Sequence, residues 1–263
     1  LVGSEMCIRD SNISGGTVLI GATGLNIAAN TSTNATQTSA GTVNISGGNV
    51  TISGPVRLGG STDINGTSVA VLNITGGTVD VRNSIAKGVG NGFASVTSTL
   101  RLASATLDLN GFTIGTLTRP INTLSLESGT LRNVTEINGG GAFSKTTAGT
   151  LVLDGFNSFS GVFTIAGGTL QVGTGSTTGT LGVGAIVNNA ALVINRAGAY
   201  AADNAISGTG SLTLGGFGTI VLTGASSYAG ATAVNSGLLA IGNSTALGSV
   251  AGGTTCLLYT SPS

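Results

Sequence analysis

Histidine is absent from the chain, and cysteine, proline and charge are all scarce. Each scarcity closes off chemistry. Without histidine there is no side chain of the kind that most often serves as general base or metal ligand near neutral pH. The two cysteines, Cys7 and Cys256, stand near the ends, so the body offers neither a thiolate metal site nor a disulfide framework. Charged residues make up 7% of the chain and balance to zero, where a soluble domain carries about 25%. Neither a basic footprint for nucleic acid nor an acidic tail exists. No run of about 18 apolar residues occurs, because Gly, Thr, Ser or Asn interrupts every apolar stretch within a few positions. A membrane-spanning helix is therefore not expected, although the mean hydropathy is +0.44. No G-x-S-x-G elbow or P-loop is found, and Gly88-Val89-Gly90-Asn91-Gly92 lacks the last glycine of a dinucleotide fingerprint and reads as a loop. Gly139-Gly140-Gly141 lacks the aspartate that a calcium-binding solenoid repeat requires.

What is abundant is glycine, 46 of 263 residues against a usual share of about 7%. With only three prolines, the glycines read as turn punctuation and not as collagen or a proline-rich linker. A turn of Gly-Thr or Gly-Gly-Thr is followed again and again by a short alternating strand. Examples are Gly16-Thr17-Val18-Leu19-Ile20, Gly41-Thr42-Val43-Asn44-Ile45, Gly77-Thr78-Val79-Asp80-Val81 and Ala105-Thr106-Leu107-Asp108-Leu109. Successive starts are most often about 19 to 29 residues apart, the length of one coil of a β-solenoid. Alternation of period two turns the aliphatics inward and Asn44, Thr51, Asp80, Asp108 and Gln171 outward. At a larger scale, Gly149 to Gly173 recurs without a gap as Gly218 to Gly242. If the two copies are equivalent coils, excising Thr150 through Gly218 should leave the remaining coils in phase.

Four regions follow from this pattern. Residues 1–11 and the end of 250–263 lack the Gly-Thr rhythm, and Ser4 to Ser11 and Cys256 to Ser263 resemble translated sequencing-adaptor DNA, so they are expected to be artefactual tails. Between them, 12–140 reads as generic coils and 141–249 as two specific repeats with linking coils. Thr31, Thr33, Thr36 and Thr38 do not recur at the coil period and mark a loop or insertion.

The stretch Lys145, Gly149-Thr150-Leu151-Val152-Leu153, Gly155-Phe156-Asn157-Ser158-Phe159-Ser160-Gly161, Thr164-Ile165 and Gly168-Thr169-Leu170-Gln171-Val172 resembles the autotransporter-associated β-strand repeat, or passenger-associated transport repeat. The second copy keeps Gly218-Thr219-Ile220-Val221-Leu222, Gly224, Tyr228, Gly230 and Gly237. It has Gly215 or Gly216 near the lysine position, Ser226 for asparagine and Leu238 for threonine. The resemblance implies an extracellular, outer membrane-associated passenger region of a large bacterial surface protein. The fold it implies is all-β, a right-handed parallel β-helix (β-solenoid, pectin-lyase-like), here of roughly a dozen coils and about 50 to 60 Å long. Such rungs form between neighbours alone, so a chain emerging through a pore can fold progressively.

One constellation could carry chemistry. Asp80 and Asp108 hold the same outward position in successive strands, about 5 Å apart if stacked in register, with Arg132 next in the column. That separation suits a retaining glycosidase pair, whereas a solvated face with Arg132 offsetting Asp108 needs no chemistry at all. The second reading is adopted, since no further base or sugar platform surrounds the pair. Phe156, Phe159, Phe163 and Tyr228 are read as core filling beside glycine corners, the alternative being a sugar-stacking strip. The sequons Asn12-Ile13-Ser14, Asn44-Ile45-Ser46 and Asn73-Ile74-Thr75 recur with the rung motif and are read as stacked polar turns, not glycosylation sites. No catalytic, cofactor-binding or metal-binding residue is assigned. A non-enzymatic stalk is the expected function, with surface glycans or a host or neighbouring-cell surface as candidate partners. A carbohydrate-processing β-helix enzyme and a carbohydrate-binding module are the alternatives.

Overall fold

A computed structural model describes residues 6–8, 10–30, 38–62, 65–92 and 94–257. The strands pair in parallel throughout and wind into a β-helix whose coils have three faces. In the N-terminal coils the first two faces are arms of a single bent strand, as in Thr38–Ile52 and Thr67–Val81, and the register slips at the bend. Gly48 and Gly77 turn this corner with φ of +82° and +76°, and a Cβ on Gly77 would lie 2.3 Å from the Gly48 carbonyl oxygen. Only glycine fits a left-handed backbone stacked this closely. The third face begins as Met6–Ile8, Leu25–Asn30, Val56–Ser61 and Ile85–Lys87 and continues through single bridges at Ile114 and Ile137. Near the C-terminal end it resumes as Ala199–Ala202, Thr219–Leu222 and Leu238–Ile241.

On the second face ten parallel pairings join eleven strands, about 50 Å of stack at the usual spacing. One inward column runs Val18, Val50, Val79, Leu107, Leu131, Leu153, Val172, Ile194, Leu214, Val234. From Val50 onward every member is buried, each contributing about 1.5 to 3 kcal/mol of hydrophobic stabilisation. A continuous aliphatic column of this kind holds register, because a one-residue slip would turn it outward. Coil length is greatest at the N-terminal end, where Asp10 stands opposite Thr42, and least where Leu151 stands opposite Leu170.

The two long repeats are not equivalent coils. Thr150 pairs with Thr169, which pairs with Ala191, which pairs with Ser211, so three coils bring the second face from Thr150 to Ser211. Thr219, the sequence counterpart of Thr150, lies one face further on, between Ala199 and Leu238. The second repeat is thus displaced by three coils and one face, and excising Thr150 through Gly218 would not keep the remaining coils in phase. The two ends also join the ladders: Met6–Ile8 pairs with Leu25–Ile27, Asp10–Ile13 with Thr42–Ile45, and Thr254–Cys256 with Thr232–Val234. Cys256 is an exposed free thiol. The threonine-rich stretch read as an insertion falls on 31–37, outside the described residues, and Thr38 opens a strand.

Candidate functional site

The outward column of the second face places Thr51, Asp80, Asp108, Arg132 and Asp154 in adjacent rungs. Period-two alternation puts them there, since each follows an inward aliphatic of the core column. The sequence brought Asp80, Asp108 and Arg132 together; Asp154 was missed, although it follows the inward Leu153 as Asp80 follows the inward Val79. No carboxylate of the column stands alone. Asp80 is paired with Arg82 at 3.0 Å and accepts from the Asn110 amide. Asp108 accepts from the Asn110 backbone N–H and the Asn133 side chain, both at 2.9 Å. Arg132 Nε lies 3.4 Å from Asp154 and 3.9 Å from Asp108, ion-pair distances without hydrogen-bond alignment. With Arg132 41% exposed, each such pair contributes up to about 1 kcal/mol.

A second polar column runs along the first face. Asn44 donates to Asn12 and Asn73 donates to Asn44, both at 2.8 Å. The asparagines of the three sequons therefore stack as a ladder, as their recurrence suggested, but they lie within strands and not in turns. The next rung replaces asparagine with Arg101, which donates to both oxygens of Glu127 at 2.7 Å. That bidentate pairing holds the Glu127 carboxyl below its ordinary range, outweighing burial.

The aromatics divide. Phe159, Phe163 and Tyr228 are fully buried, and Phe163 stacks on Phe143 with ring centroids 4.4 Å apart. Tyr228 finds its hydroxyl partner in Thr232 at 2.6 Å. Phe156, by contrast, is 75% exposed, so core filling accounts for three of the four and not for Phe156. Gly88, Val89, Gly90 and Asn91 form an irregular stretch on the third face that lines, with Arg57, a cavity of about 420 Å³.

Each long repeat closes its corners with a different set of groups. In the first, the fully buried Lys145 donates to the carbonyls of Thr147 at 2.6 Å and Gly167 at 3.3 Å, and burial lowers its pKa. In the second, gapless alignment puts buried Leu214 at the lysine position, and the Ser236 hydroxyl satisfies Gly216, the counterpart of Thr147, at 3.1 Å. Asn157 accepts from the Val134 N–H of the preceding coil and donates to the Asp154 carbonyl of its own turn. Ser226 does both tasks with one hydroxyl, toward Ile206 and Gly224. The divergent second copy thus closes the corresponding corners with different side chains.

The family model for the passenger-associated-transport repeat matches residues 143–172 and 207–241. The chain carries two passenger-associated-transport repeats. Each matched span contains the corner-closing set just described. Over 50 residues the chain is also 58% identical to the Adhesin BmaC autotransporter of Brucella suis biovar 1 (strain 1330), a stretch that is 19% of this chain and 1% of that protein. No solved structure matches. The repeats place the chain in the extracellular, outer membrane-associated part of a surface protein.

Proposed function

We propose that the chain is a non-enzymatic stalk within a passenger region, holding other modules away from the cell and contributing to adhesion. The observation that carries this reading is the unbroken inward column from Val18 to Val234, which makes one rod of the described coils. A rod whose units contact only their neighbours transmits position over its whole length and requires no site. Along its charged column the carboxylates engage arginines and asparagines. A retaining glycosidase pair is two carboxyl groups open to one scissile bond, whereas Asp80 is engaged by Arg82 and Asn110, and Asp108 by Asn110 and Asn133. The name of the matched relative, an adhesin, favours the adhesive contribution. The purified chain, incubated with a panel of polysaccharides, should release no new reducing ends. Release that disappears in Asp80→Asn or Asp108→Asn would overturn the reading.

A further inference from the structure

Phe112, Phe156 and Phe217 are 39%, 75% and 89% exposed, and all three lie where the second face turns into the third. Backbone bonds fix this placement. Thr135 donates to Phe112 and Ser158 donates to Val134, which puts Phe156 two rungs above Phe112. Gly179 donates to Gly155, Ala197 to Ser176 and Gly218 to Arg196, which carries the same edge up to Phe217. At the usual rung spacing, Phe112 and Phe156 are about 10 Å apart along the edge, and Phe217 stands about 14 Å further on. Beside the edge, between the rungs of Phe156 and Phe217, opens a cleft of about 320 Å³ lined by Asn157, Thr180, Val183, Tyr200, Asp203 and Asn204 among others.

The polar groups of this cleft are unequally committed. Asn204 spends its amide on the carbonyls of Gly182 and Gly184, and the Thr180 hydroxyl is shared with the Asn157 backbone. Tyr200 is held at both ends: its oxygen accepts from the Leu181 N–H at 3.1 Å, and the Arg196 guanidinium lies 4.4 Å from its ring centroid. Its own proton therefore stays free to donate, and burial raises its pKa so that the proton is retained. Asp203 is exposed and takes one hydrogen bond, from Thr223, which leaves most of a carboxylate's acceptor sites open. A fixed donor and a charged acceptor in one cleft suit a ligand with adjacent hydroxyls. The exposed Phe156 ring, next in sequence to Asn157, suits a ligand with an apolar face.

We propose that this edge and cleft bind a neutral glycan, with one pyranose ring in the cleft and the chain running over Phe156. A pyranose presents hydroxyls around its rim and C–H groups on its face, which is the combination the site offers. An anionic glycan is disfavoured, because the one exposed charge among the named lining residues is the carboxylate of Asp203. The proposal names the partner class for the adhesive contribution above and rests on that reading only for where the glycan is met.

The test is calorimetric titration of the full chain with cellohexaose, maltohexaose and N-acetylchitohexaose, with heparin and polygalacturonate alongside. At least one neutral hexasaccharide should bind. Phe156→Ala and Asp203→Ala should each weaken it at least tenfold without moving the thermal melt, while Asp80→Asn leaves it unchanged. Binding of none of the three, binding of the anionic chains alone, or full affinity in both cleft variants would overturn the site. The stalk reading would survive any of these, since it depends on rod geometry and on the absence of polysaccharide cleavage.

Discussion

Thr150 and Thr219 occupy the same position in two aligned repeats yet lie on different faces of the solenoid, Thr150 pairing with Thr169 and Thr219 with Leu238. The repeat is therefore a unit of hydrogen-bonding habit and is not tied to one face. A tandem array built with this offset would present the same turn a third of a revolution further round at each copy.

Lys145 gives the habit a measurable energy. Replacing it with methionine keeps the bulk and strands the Thr147 and Gly167 carbonyls, at a cost of about 1 to 3 kcal/mol. Leu214→Met at the equivalent position strands nothing, because Ser236 serves Gly216, and should cost less than about 1.5 kcal/mol. Urea unfolding of the two variants measures the difference, and equal losses would show that the lysine acts by packing alone.

Acid should loosen the first face at Glu127. The paired Arg101 depresses the folded pKa of this carboxyl, against the opposing pull of burial. A depressed folded value means that the stabilisation is complete above the unfolded glutamate value of about 4.3 and is lost as pH falls through the lower folded value. Glu136 shifts the same way: burial pulls it upward, but bonds from Ser160 and the Ile137 N–H prevail. Melting temperatures taken from pH 7 to pH 2.5 should fall less steeply in Glu127→Gln than in the parent. Superimposable profiles would remove Glu127 from the account.

In the charged column, Asp108→Asn should cost about 1 kcal/mol, since Asp108 anchors both Asn110 and Asn133 and those bonds weaken when the acceptor loses its charge. Asp154→Asn should cost less than about 1 kcal/mol in the ion pair with Arg132, and salt should reduce the Asp154 effect more. Denaturant melts at low and high ionic strength distinguish the two, and the reverse order would mean that the ion pair, not the asparagine bonding, holds this face.

Much of this was legible in the sequence because a solenoid makes local pattern and tertiary neighbour the same thing. The alternation in Thr78-Val79-Asp80-Val81 predicts an inward Val79 and an outward Asp80, and the next strand repeats it one rung away. The recurrence of Asn12, Asn44 and Asn73 announced the ladder for the same reason. What the pattern does not encode is the face. Gly149-Thr150 and Gly218-Thr219 read alike because either corner needs the same glycine turn, and only the lengths of the coils between them decide where the second copy lands. Phe156 was misread because Phe159 and Phe163, close by in the chain, do fill the core. The cleft at Tyr200 and Asp203 left no signal, since its lining comes from three coils and its polar residues are common everywhere in the chain.

The displacement of the repeats is the central claim, and two deletions test it directly. Removing Thr150 through Gly210 joins Gly149 to Ser211 and takes out three whole coils, because Thr150 and Ser211 are stacked through Thr169 and Ala191. Removing Thr150 through Gly218 restores a perfect Gly-Thr-aliphatic junction in sequence but takes out an additional face. Circular dichroism and thermal melting of the two products should show a strand-rich, cooperatively melting chain for the first deletion and loss of the cooperative transition for the second. A cooperative melt in the second product and none in the first would contradict the account.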